Sequence, residues 1–278
     1  INYGSIERKS IIKLLKASAL KNKSITVHNS YIKHIIPNNQ TNEIIDNNQN
    51  IFEAKSIIGA DSINGISRKF VIGSDGKSKY KKIFRGVSFN NSSFQLTRNS
   101  LQLIISSYGH FVIYPTIINK KNATNYIFVP SNDIFIPPSI HDKILSYLIP
   151  DDIKWKTTFS SNICEENNVI HKNGVFLLGD AGTSMPPHTA QAGNQILEDA
   201  VFIKERLEEK NNFNQMINLF IKKRYIKKNM IAKKSGILGK ILSAQKLTGH
   251  FRNLCLKSYG NNIVESILNP IWTSNVNE

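Results

Sequence analysis

One stretch constrains the chain more than any other. Val175-Phe176-Leu177-Leu178 is an apolar run of strand length that stops at Gly179-Asp180. A loop with Pro186 and Pro187 follows, then small residues from Thr189 to Gly193, then a helical pattern from about Asn194 to Glu209. A short apolar run bounded by turn signals predicts a buried strand. Strand, loop and helix in that order build open α/β sheets, whose ligands bind outside the carboxyl ends of the strands. Asp180 stands at such an end, where a carboxylate can accept hydrogen bonds from a polyol. Small residues let backbone approach a ligand closely, and the unpaired N–H groups of a helix start suit an electron-rich oxygen. Asp180, the small-residue loop from Thr189 to Gly193 and the helix start after it are therefore the parts of this unit that a ligand would meet.

The rest of the chain supplies a frame for this unit. A helix is predicted from a cap at Ser5 to about Lys21, with Ile6, Ile11, Leu14, Leu15 and Leu20 near helical spacing. Short β-rich runs follow at 25–28, 31–36 and 50–54, separated by Asn-rich turns, and a further strand at 56–58 ends in Gly59-Ala60-Asp61. Residues 75–165 read as a separate sheet with strands at 83–89, 111–114, 126–129 and 157–163 and one helix at 140–148. Two or more helices fill 213–268. This order suggests that 1–74 and 166–278 fold together around the inserted region 75–165.

Composition removes several classes of function. The chain has no apolar run long enough to cross a membrane and no secretory signal pattern. Cys164 and Cys255 belong to no Cys/His cluster, so neither a disulfide framework nor a metal site is expected, and a reducing cytoplasm is the plain setting. The net charge of +16 has two readings. It could mark binding to nucleic acid or to an anionic membrane, or it could reflect a proteome rich in Lys, Asn and Ile. The scattered lysines favour the second, and no stacking platform points to nucleic acid. Peripheral membrane contact is kept open for one stretch, where Lys222 to Lys240 interleave with Ile226, Met230, Ile237 and Leu238.

The segment Gly179–Ala200 resembles the second FAD-binding signature of the class A flavin-dependent monooxygenases, the p-hydroxybenzoate hydroxylase-like and salicylate hydroxylase-like aromatic hydroxylases. By that resemblance Gly179, Asp180, Pro187, Ala192, Gly193 and Asn194 are the cofactor-binding residues of the segment: Asp180 binds the ribitol of FAD, Pro186 and Pro187 shape the wall beside the flavin ring, and Gly193 and Asn194 meet its pyrimidine edge. Two further matches come in the family's order. Gly59-Ala60-Asp61-Ser62-Ile63-Asn64-Gly65-Ile66-Ser67-Arg68 is similar to the motif near the pyrophosphates of FAD and NAD(P)H. Asp61 and Arg68 are kept there, but Ser62 stands where the family has a glycine that permits a positive φ. Upstream, Arg8 falls on the helix whose arginine reaches FAD; alone such an arginine is usually just solvated, but its place before the other two motifs favours the match. Tyr114 and Pro115 match a strand that borders the substrate cavity. His188, like His110, is a candidate site residue whose plainer reading is a hydrogen-bonded loop or core histidine.

The resemblance runs from Ile1 almost to the chain's end and implies an α/β fold of the α+β kind. That fold has a Rossmann-like FAD/NAD(P)-binding domain, an inserted, mostly antiparallel substrate sheet and C-terminal helices. No Gly-x-Gly-x-x-Gly occurs, so the first βαβ unit of the family is expected to be lacking. The implied activity is NAD(P)H- and dioxygen-dependent hydroxylation of a small aromatic molecule through a flavin hydroperoxide, with no protein nucleophile. The alternative is a truncated or split-gene remnant that binds FAD weakly or not at all. The missing βαβ unit, Ser62, Thr189 and Ala192 all favour it.

Overall fold

A computed structural model describes residues 6–73, 78–90, 101–131, 149–163, 169–209 and 212–272. The capping Ser5, the helix expected at 140–148 and Cys164 lie outside the described residues. The chain divides into two compact units. One comprises residues 1–29, 81–159 and 242–249, and the other 30–80, 160–241 and 250–278.

The first unit is organised by a long hairpin. Strands β7 (Gly109–Ile118) and β8 (Lys121–Pro130) pair antiparallel from Gly109↔Pro130 to Ile118↔Lys121. Asn119 and Lys120 both take positive φ, 50° and 63°, as a two-residue turn matching the strand twist requires. β5 (Ser78–Ser88), β6 (Gln102–Ser106) and β9 (Lys156–Ile163) complete a sheet of order β6-β7-β8-β5-β9. Its core is Phe84, Phe111, Ile113, Tyr126, Phe128, Ile149 and Ile153, with the Phe111 and Phe128 rings stacked at 4.5 Å. Helix α1 (Arg8–Ala19) buries none of its residues, so Ile12, Leu14 and Leu15 are exposed. The strand expected at 25–28 does not form; Ile25 and Val27 are exposed and no partner strand lies beside them among the described residues.

The second unit holds the strands that position the site. β1 (Ile32–Pro37), β2 (Asn42–Asp46) and β3 (Ile51–Ala54) form an antiparallel sheet in sequence order. β2 replaces what the sequence suggested was an Asn-rich turn. A second sheet has order β10-β11-β4, with β4 at Ile57–Gly59, β10 at His171–Lys172 and β11 at Val175–Leu177. Asn173 and Gly174 make the β10–β11 turn, again with positive φ at both residues. β11 and β4 pair in parallel, Val175 with Ile57 and Leu177 with Gly59.

Helices α2 (Ile66–Ile72), α3 (Ala192–Glu208) and α4 (Phe213–Phe220) pack against this sheet, and α5 (Ile226–Leu242) and α6 (Lys246–Trp272) follow in the chain. A π-helical turn, Ile221–Tyr225, joins α4 to α5. α4 starts on a reciprocal cap, Asn212 accepting from the Gln215 N–H while Gln215 accepts from the Asn212 N–H. Burial of β11 drives the packing: Val175, Phe176 and Leu177 are fully enclosed by Phe202, Met216, Ile217, Phe220 and Tyr225. Phe176 meets Phe220 edge to face at 5.0 Å. No helix of the described residues is long and apolar enough to cross a membrane.

Candidate functional site

The parallel pairing of β4 and β11 decides which loops meet. Both strands run the same way, so the loop after Gly59 and the loop after Leu178 leave from one carboxyl edge. Leu178 N–H donates to the Gly59 carbonyl at 2.8 Å, which extends the pairing to that edge. Asp61 and Asp180 therefore stand on the same side of the sheet.

The Asp61 loop is built around the start of α2. The residue before this helix is Gly65, which has no side chain to cap it. Asp61 fills that role from upstream: its carboxylate accepts from the Ser67 N–H at 2.8 Å and from the Ser67 hydroxyl. A Cβ on Gly65 would overlap the Asp61 carboxylate, so a side chain there would push that carboxylate away from Ser67. Ser62 takes φ 74°, the left-handed value for which the family motif has glycine. A side chain in that region costs about 1–2 kcal/mol. Ser62→Gly should therefore stabilise the chain by about 0.5–1 kcal/mol, after the extra entropy glycine gives the unfolded state. Urea unfolding of the two proteins measures it, and an equal or lower midpoint for the glycine variant would refute the strain.

Arg68 ties this loop to the other. Its side chain is buried, and Nη1 donates to the Ala181 carbonyl at 2.6 Å, one residue past Asp180. The Asp180 turn, Gly179–Ala181, is a short 3-10 helix. Gly179 takes φ 60°, and its Cα approaches α3 so closely that a Cβ would lie 3.3 Å from Cδ1 of Ile196. That contact brings the exposed Asp180 beside the first turns of α3.

The start of α3 is open. Gln191, which precedes it, makes no side-chain cap, and Ala192, Gly193 and Asn194 are exposed. Apart from its chain neighbours and its own helix backbone, no described atom lies within 4 Å of where a Gly193 Cβ would stand. The first N–H groups of a helix have no partner within it, and they carry the positive end of its dipole. The left-handed residue of the preceding loop is Ala190, at φ 53°, rather than Thr189 or Ala192.

Other expected site residues have different surroundings. His188 lies against α5, where a Cβ on Gly239 would overlap its ring, and Ser235 of the same helix donates to the Pro186 carbonyl at 2.8 Å. The Pro186–His188 loop is thus seated on a small-residue face of α5. Tyr114 and Pro115 are half-buried neighbours on β7, paired with Asn125 and Thr124. Side chains alternate along a strand, so Pro115 shares the face of Phe111 and Ile113 and Tyr114 the face of buried His110. Arg8 is exposed on α1, in the first compact unit.

A buried ionic network behind the α3 start was not foreseen. Asp199 is fully buried and accepts from Arg224 Nε at 3.0 Å and Lys228 Nζ at 2.7 Å. Glu198 accepts from Arg224 Nη1 at 2.7 Å and Lys227 Nζ at 3.2 Å. Arg224 Nη2 also donates to Gln195 Oε1 at 2.9 Å. These cations were expected either on a solvated face or on an anionic lipid surface. The structure corrects this for Arg224, Lys227 and Lys228, which turn inward to two carboxylates of α3. The signal was present as Glu198-Asp199 followed by cations at helical spacing.

No family model matches the sequence, and no curated protein does. Solved structures match the fold closely. A variant of HpxO from Klebsiella pneumoniae complexed with FAD superposes at TM-score 0.77 with 14% identity, over 98% of this chain and 74% of that one. A salicylate hydroxylase substrate complex gives TM-score 0.71 at 17% identity, over 98% and 74%. The 2,6-dihydroxypyridine-3-hydroxylase of Arthrobacter nicotinovorans gives 0.62 at 15%, over 77% and 64%. At such identities the shared property is the fold: a mixed α/β chain with antiparallel sheets and C-terminal helices.

Proposed function

We propose that this chain is a flavin-dependent hydroxylase of the class A monooxygenase type, acting on a small aromatic molecule with NAD(P)H and dioxygen. One observation carries the reading. The β4–β11 pairing delivers Asp180 and the Asp61 loop to one carboxyl edge, tied by Arg68, beside the uncapped start of α3. A flavin fits these groups. Asp180 is an exposed acceptor for ribitol hydroxyls, and the open backbone at Gly193 and Asn194 offers N–H donors to a pyrimidine oxygen. FAD would supply electron transfer from NAD(P)H and oxygen activation. The chain's own groups bind and orient it, and Pro187 and the seated His188 loop wall the site. Arg8, Asp61 and Arg68 are assigned to the cofactor side, the first by family layout alone. Residues 1–74 and 166–278 form the cofactor domain in this reading, and 75–165, with Tyr114 and Pro115, the substrate sheet. A cytoplasmic setting suits the thiol of Cys255.

A second reading, a half-site with weak cofactor binding, is favoured by the free edge of β4. β4 pairs with β11 on one side, and among the described residues no strand covers the other; on the face of β4, the Ile58 side chain is 45% exposed. Parallel strands are normally covered on both faces. Flavin fluorescence titration separates the two readings. If only the flavin half is held, riboflavin and FAD bind with similar affinity. If the ADP half is held as well, FAD binds at least about a hundredfold tighter, as two or three added charge-assisted hydrogen bonds would give. Failure of both to bind would overturn the flavin reading itself.

A further inference from the structure

No Asp or Glu occurs between Glu209 and Glu265, so every formal charge of this stretch is basic. Arg224, Lys227 and Lys228 are answered by Glu198 and Asp199 on α3. The cations further along lie in a segment that contains no carboxylate before Glu265. The first half of α6, up to the non-helical backbone at Tyr259, carries the most exposed apolar side chains of this stretch. Leu247, Phe251 and Leu254 are 85%, 70% and 63% exposed. Their spacing of four and three residues lines them along one helical face. Lys246, His250 and Lys257 are also exposed, and their spacing of four and seven places them in a row beside that stripe. Gly249, Arg252 and Leu256, on the opposite face, are the more enclosed residues.

We infer that this face of α6 docks on a bilayer surface carrying anionic lipid. An exposed apolar stripe flanked by Lys246 and Lys257 and free of acidic residues has the chemistry of a helix lying in the interface plane. Its charge complements lipid phosphates and carboxylates, and each nearby lysine strengthens the attachment. The inference does not depend on the flavin reading. It also moves the membrane contact away from the 222–240 stretch, three of whose cations are used internally.

Co-sedimentation with phosphatidylcholine vesicles, with and without phosphatidylserine, tests it. Binding is expected with phosphatidylserine at low ionic strength and is expected to fade with salt. The pair Phe251→Ser and Leu254→Ser leaves the net charge unchanged and alters exposed positions only. It should lower the vesicle partition coefficient more than about tenfold while the far-ultraviolet spectrum and unfolding midpoint stay unchanged. No binding at low salt would overturn the proposal. So would undiminished binding of the double variant, which would assign the attraction to net charge alone. A concentration-dependent dimer that the double variant abolishes, without vesicle binding by the parent, would assign the stripe to a second copy and equally overturn it.

Discussion

Replacing Asp199 with Asn should cost about 3–5 kcal/mol of folding stability, the usual penalty for removing one partner of a buried ion pair. The expectation rests on a charge count within the network. Three cations, Arg224, Lys227 and Lys228, face two carboxylates, Glu198 and Asp199. Asp199 is the carboxylate that answers Lys228, and both side chains are almost wholly buried. Without it, three cations would face Glu198 alone. Arg224→Met is the instructive contrast. It leaves Lys227 on Glu198 and Lys228 on Asp199, two charges against two, so it should cost less than Asp199→Asn although the arginine is the larger side chain. Urea unfolding gives both values. Adding Lys228→Met to Asp199→Asn should recover part of the loss, as coupled partners in one network do. A larger cost for Arg224→Met than for Asp199→Asn would show that the network is held by guanidinium geometry rather than by balance of charge.

This network also shows where sequence reasoning stopped. The strand–loop–helix at Val175–Glu208 was legible because its signal is local: an apolar run, a Gly-Asp step and a helical pattern. The Gly59–Arg68 motif was legible for the same reason, and Ser62 takes the positive φ its position implied. What could not be read was which side chains of distant segments would meet. Arg224 lies 25 residues from Asp199, and a lysine-rich helix reads as solvated unless a buried carboxylate is known to face it. β2 was missed because Asn42 and Asp46, which suggest turns, frame only a short apolar pair and are buried by tertiary packing. Asn173-Gly174 was a hairpin signal passed over beside the stronger run that follows it.

The two aspartates of the candidate site should part company when each is replaced by alanine. Both were read as cofactor ligands, and both stand at one carboxyl edge. Their surroundings differ. The Asp61 carboxylate is engaged with the Ser67 N–H and hydroxyl at the start of α2, a helix whose own preceding residue is a glycine. Its removal takes away a helix cap, so Asp61→Ala should lower stability by about 1–2 kcal/mol. Asp180 is exposed beside the open first turn of α3, where a polyol would meet it. If it binds the ribitol chain, Asp180→Ala removes a hydrogen bond to a charged acceptor, about 1.5–3 kcal/mol, and flavin affinity should fall roughly ten- to hundredfold. Riboflavin is the better probe, because it reports the flavin half of the site without the adenosine. Affinities are compared at a temperature where both variants are folded, so that the stability cost of Asp61→Ala does not pass for weaker binding. Unchanged riboflavin affinity in Asp180→Ala would remove Asp180 from the site. An equal loss in both variants would mean that the ligand is held by the edge as a whole, with the Arg68 tie between the loops as the feature to replace next.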